Sequence, residues 1–143
     1  MAETTGFFQD MNTVISDLVE KRLRYYFVVK DEDLHKVVIY LFKTMGCRLS
    51  TATATERYDA IEVLYHFSHD ATGTYYCPRI LMTNKDKPQM SSITRIVKGA
   101  EWIEREMAEM YGIDFKGHPR KEPLLTKDNS QVRVQPLRAR RIS

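Results

Sequence analysis

A chain of 143 residues is one domain's worth, long enough for a real core and short for two. At 43% hydrophobic and 29% charged residues it reads as soluble and globular. Its longest apolar runs, Phe27-Val28-Val29 and Val37 to Phe42, fall far short of the roughly 20 residues that span a bilayer. The net charge of +3 sits at one end: residues 127–143 hold five cations against Asp128, a net of +4 that leaves the rest at −1, which argues against nucleic acid as a partner of the folded part.

Met1 to Thr5 lacks the basic region and apolar core of a secretion signal, so the expected compartment is the cytoplasm, with any membrane contact made through a partner. Cys47 and Cys77 lie thirty residues apart, without the close Cys or Cys/His pairs of iron–sulfur or structural zinc sites. Two free, buried thiols and no cofactor in this chain are the expectation.

In chain order, Phe7 and Phe8 lead into Met11, Val14, Ile15, Leu18 and Val19, a helical stripe that Asp10 is placed to cap. Arg24 to Val29 is aromatic and β-branched, hence a strand. Asp31-Glu32-Asp33 opens a helix in which Leu34, Val37, Val38, Leu41, Phe42 and Met45 recur at helical spacing until Gly46. Cys47 to Glu56 is Thr-rich and weakly patterned, Ala60 to Phe67 alternates strictly, and His69 to Gly73 reads as a hairpin loop into a strand from Thr74 to Thr83. Pro78 removes a donor from that last strand, which predicts an edge position or a bulge. Asn84 to Pro88 is a polar loop, and Ser91 or Ser92 is placed to open a short helix before Gly99. This order predicts an α+β domain with a mixed sheet and helices on one face, over residues 1–125. Residues 126–143 lose the periodicity and are expected to form an extended basic arm. That arm reads as a solvated end, as a strap across an acidic neighbour, or, with less weight, as a contact for anionic lipid or nucleic acid.

The densest patterning starts at Glu101. On a helix, Ile103, Met107, Met110 and Tyr111 share one side, Glu101 and Arg105 are spaced for a surface ion pair, and Gly112 is placed for a left-handed cap. Ile113 and Phe115 then alternate with Asp114 and Lys116, and Gly117-His118-Pro119 turns the chain. Glu106 projects about 60° from Ile103, at the border of the apolar stripe, where a carboxylate needs a partner. Either another polypeptide's cation or backbone donors of its own domain would serve.

Glu104-Arg105-Glu106, then Tyr111-Gly112-Ile113-x-Phe115-x-Gly117-His118-Pro119 and Leu124-Leu125, resembles the signature of the C-subunit family of NADH–quinone oxidoreductase, the thirty-kilodalton subunit of respiratory complex I, which is shared with complex-I-related membrane-bound hydrogenases. Ser92-Ile93-Thr94 and Gly99-Ala100-Glu101-Trp102 extend the resemblance upstream. It implies the same two-layer α+β fold. It also implies a subunit without its own cofactor, packed on a large catalytic subunit beside an iron–sulfur small subunit, at the inner face of the cell membrane. Iron–sulfur clusters and a nickel–iron site or quinone would belong to those partners. Trp102, Glu104, Arg105, Glu106, Tyr111, Gly112, Phe115, Gly117, His118, Pro119 and Arg120 would form the inter-subunit face and its supporting turn. The chain length resembles the small subunits of energy-converting hydrogenases and formate-hydrogenlyase-type assemblies more than the longer respiratory form.

Catalytic constellations are not legible. There is no phosphate-binding glycine motif and no nucleophile elbow. Glu104 and Glu106 diverge by about 160° on a helix and cannot act on one substrate. His66 and His69, three apart at a strand end, read as surface and loop histidines rather than a metal site, and His35 as solvated. A stand-alone enzyme is therefore disfavoured, and a basic-tailed nucleic-acid module is a remote alternative.

Overall fold

The computed structural model describes residues 2–119. Five strands make one mixed sheet in the order β1-β2-β5-β4-β3, and two short ones make a separate pair. The α+β class with a mixed sheet is as expected from the sequence; the basic arm and the 125/126 boundary lie outside the described residues.

The chain opens with α1 (Ala2–Met11), which ends where a helix was expected to be in mid-course. Ile15–Lys21 is instead strand β1, paired antiparallel with β2 (Arg24–Val29). Val14, Ile15, Leu18 and Val19 fit the helical period, yet Leu18 and Val19 are exposed and pairing with the aromatic β2 takes the segment into the sheet. The cap role expected of Asp10 is also replaced, since its carboxylate accepts a bond from the Tyr40 hydroxyl at 2.8 Å. Phe7 is wholly buried, with its ring 5.2–5.7 Å from those of Phe8, Phe27, Tyr40 and Tyr76, so one aromatic side chain seats α1 on the sheet.

Helix α2 (Asp31–Ile39) continues as a π-helical turn over Tyr40–Thr44, burying Leu34, Val37, Val38 and Leu41. It stops at Gly46, whose φ of 72° a side chain would resist. Strands β3 (Arg48–Glu56), β4 (Ile61–His69) and β5 (Thr74–Met82) follow antiparallel to one another. The alternation in β4 is kept, with Ile61, Val63, Tyr65 and Phe67 all fully buried in the core. β5 is central, parallel to β2 on its other side. The edge position expected from Pro78 is thus wrong, and no bulge accommodates it. The β4–β5 register holds from Leu64↔Arg79 to Phe67↔Tyr76 and simply lacks the pairs between. One missing donor interrupts a ladder locally without excluding the strand from the centre.

The loop after β5 leads not to a helix but to strand β6 (Gln89–Ser91), parallel to β7 (Asp114–Lys116). Between them lies α3 (Ala100–Tyr111), closed by Gly112 at φ 74°, its N–H donating to the Ala108 carbonyl as the sequence predicts.

Candidate functional site

The two acidic positions of α3 end up in opposite environments. Glu104 is completely buried. Its carboxylate accepts bonds from the Ser92 hydroxyl (2.5 Å), the Tyr65 hydroxyl (2.6 Å), the Thr94 hydroxyl (2.8 Å) and the Ile93 N–H (3.0 Å). Four donors satisfy an acceptor-only group, which removes the main cost of burying it. Burial, and after it the Glu104 carboxylate, push the Tyr65 phenol well above its ordinary range, so it remains a proton donor. Ser92 therefore opens no helix; its hydroxyl also accepts the Thr94 N–H at 3.1 Å and so braces the turn that surrounds Glu104.

The same loop is held from the other side by α2. Asp31 accepts bonds from the N–H and hydroxyl of Ser91 at 2.6 and 3.1 Å, and Nε2 of His35, exposed but not idle, lies 2.8 Å from the Ser92 carbonyl. At the far end His118 is buried, with its Nε2 3.0 Å from the Glu101 carbonyl, and its N–H bonds to the Phe115 carbonyl at 3.2 Å. Gly117 at φ 81° makes that return possible. Phe115 is in the core. Gly112, Phe115, Gly117 and His118 thus fix the helix within its own domain, and Glu104 faces the core rather than a neighbour. Arg105, expected on the surface, is only 7% exposed, with its guanidinium 5.3 Å from the Trp102 ring centre.

What remains outward on α3 is Trp102, 63% exposed, and Glu106. Glu106 makes no hydrogen bond or ion pair among the described residues, so the backbone partner considered for it is absent there. It borders a shallow groove between α3 and β3 into which Ile103, Met110 and Tyr111 project, each half-buried. The expected stripe is therefore rotated. Ala100, Glu104 and Met107 take its centre, because the hydroxyl cluster draws Glu104 inward, while Ile103 and Met110 move to the rim. Pro119 is exposed; Arg120, Leu124 and Leu125 lie outside the described residues.

Other candidates show no convergent chemistry. His66 is 3.6 Å from the Cys77 sulfur on the sheet's second face, while His69 is buried beside Thr72 at 2.8 Å. Both cysteines are buried and neither is in a disulfide, and burial pushes the Cys77 thiol up to about 11, which keeps it protonated. Among the described residues no group of three or more His, Cys, Asp and Glu side chains could hold a metal, and no helix is long and apolar enough to cross a membrane.

Residues 27–141 match the family model described as the respiratory-chain NADH dehydrogenase 30 kDa subunit, and the chain belongs to that family. It is 30% identical over 119 residues to the C subunit of the F(420)H(2) dehydrogenase of Methanosarcina mazei, covering 78% of this chain and 72% of that one. It is 28% identical over 123 residues to the C subunit of the NADH-quinone oxidoreductase of Chloroherpeton thalassium, of which it spans half the length. The fold is shared with a trypsin-resistant fragment of Nqo5 (TM-score 0.66, 19% identity, 82% of this chain and 98% of that one). It is shared too with a chain of the membrane-bound sulfane sulfur reductase, an archaeal respiratory membrane complex (TM-score 0.72, 17% identity, 90% of this chain and 74% of that one).

Proposed function

We propose that the chain is a cofactor-free docking subunit of a membrane-bound oxidoreductase related to complex I. It packs the outer face of α3 on the large catalytic subunit, near the iron–sulfur small subunit, on the cytoplasmic side. The observation that carries this reading is the division of α3. Glu104 is locked inward by hydrogen bonds, while Trp102 stands outward and the unpaired Glu106 lines a groove with Ile103, Met107 and Met110. An exposed tryptophan is the kind of side chain that anchors interface centres, and an unpaired carboxylate one turn away is placed to meet a partner's cation at the rim. Electron carriers, whether clusters, quinone or a nickel–iron site, belong in this reading to the partners. The relatives above are subunits of an F(420)H(2) dehydrogenase and an NADH–quinone oxidoreductase, so those branches stand beside the hydrogenase branch.

The test is purification of the tagged full chain from its host membranes. The wild type is expected to bring down a large catalytic subunit in a complex that survives high salt, and Trp102→Ala to lose it while the chain stays folded. A wild-type chain that purifies alone, or a Trp102→Ala chain that assembles normally, would remove the reading.

A further inference from the structure

Among the described residues the five-stranded sheet ends in two strands that treat their free edges differently. β1 shifts register between Ser16 and Val19, holds Asp17 at φ 49°, and carries Asp17, Glu20 and Lys21. A bulge and charges are the devices that stop another strand from pairing. β3 has one irregularity near Ser50 and then runs in unbroken register from Thr51 to Glu56, with no proline, glycine or lysine. Among the described residues its outer edge is an open ladder of backbone donors and acceptors. Ala52 and Ala54, opposite Tyr65 and Val63 of the core face, are too small to fill the space beneath α3. The result is an open groove of about 320 Å³ walled by Ile103, Met107 and Met110, with Glu106 at its rim.

We propose that the β3 edge takes up an extended segment of a different subunit of the assembly as a sixth strand. Apolar side chains at alternate positions would fill the groove, and a Lys or Arg among them would meet Glu106. A strand added about 4.8 Å beyond β3 points every second side chain toward the helices, where the groove lies. The charge of Glu106 selects a basic segment. A second copy of this chain fits poorly: its Thr51–Glu56 edge has only Ala side chains for the groove and no cation for Glu106. The inference rests on the docking reading above and specifies how the docking is made.

Hydrogen–deuterium exchange of the full chain, alone and in the complex purified from its host, tests the pairing directly. Amides in residues 51–56 are expected to exchange at least tenfold more slowly in the complex. A photo-crosslinker at Thr53 is expected to capture an alternating apolar segment of another subunit that contains Lys or Arg. Thr53→Pro and Ala54→Pro provide a paired control, since one removes an amide bonded to β4 and the other an outward amide alone. The variant that keeps wild-type circular dichroism and melting should lose assembly at least tenfold. Unchanged exchange, a cross-link to a second copy, or a cross-link to residues 120–143 of the same chain would overturn the proposal. If Trp102→Ala abolishes assembly while the folded proline variant assembles normally, docking stands and strand addition falls. If both assemble as wild type, or the wild type brings down no partner, both fall.

Discussion

Two carboxylates two residues apart on α3 show how one helix can serve two purposes. Glu104 points into the domain and is held by four donors drawn from β4 and from the loop before the helix. Glu106 points out and is held by nothing described. The inward side therefore contributes rigidity and the outward side recognition. A helix fixed at its inner face presents Trp102 in one orientation, and a partner then spends little binding energy on ordering it.

The comparison breaks most visibly at Glu104. Glu104→Ala leaves two buried hydroxyls, a phenol and a backbone N–H without an acceptor, and urea unfolding should show a loss of roughly 3–5 kcal/mol. A loss under about 1 kcal/mol would mean that the clamp is not what holds the helix. Tyr65→Phe removes one of the four donors and should cost about 1–2 kcal/mol in the same measurement. Trp102→Ala, on the outer side, should cost under about 1 kcal/mol, the stacking with Arg105 being its main intramolecular contact, yet abolish assembly. Glu106→Ala should leave stability within about 0.5 kcal/mol and weaken assembly more at low salt than at high. A melting temperature lowered as far as by Leu41→Ala would make Glu106 part of the fold.

The smallest expected effect concerns neither side of the helix. Burial, and behind it the charge of Arg24, lower the His66 pKa below its usual 6.5. The unfolded chain then binds the proton more readily than the folded one. This contribution to stability is present above pH 6.5 and is lost as pH falls through the folded-state value. His66→Gln should flatten the acid side of a stability–pH curve slightly, whereas Glu106→Gln should not.

Much of this was legible in the sequence, and what was not has a physical cause. The α2 stripe, the β4 alternation, the Gly112 cap and the Gly117 turn are local signals, and local physics decides them. Glu104 was placed in the inter-subunit face rather than in the core because its donors come from 10, 11, 12 and 39 residues away. Only the pairing of Ser92 and Thr94 with a later glutamate hinted at the clamp, and hydroxyls are too common to carry that alone. β1 was misread because Ile15, Leu18 and Val19 fit a helical period, and pairing with a strand later in the chain overrode that local signal. Pro78 was given too much weight, since its penalty is two missing pairs in the β4–β5 ladder and the rest of that register holds.

Phe7 carries a practical consequence. The part of the chain that matches the family begins at residue 27, yet the ring plugging the space between Phe27, Tyr40 and Tyr76 arrives from twenty residues earlier. A recombinant fragment trimmed to the recognisable region would leave that aromatic socket open to water. Sticky, poorly behaved material would be the outcome at the bench, and restoring the first helix its simplest remedy.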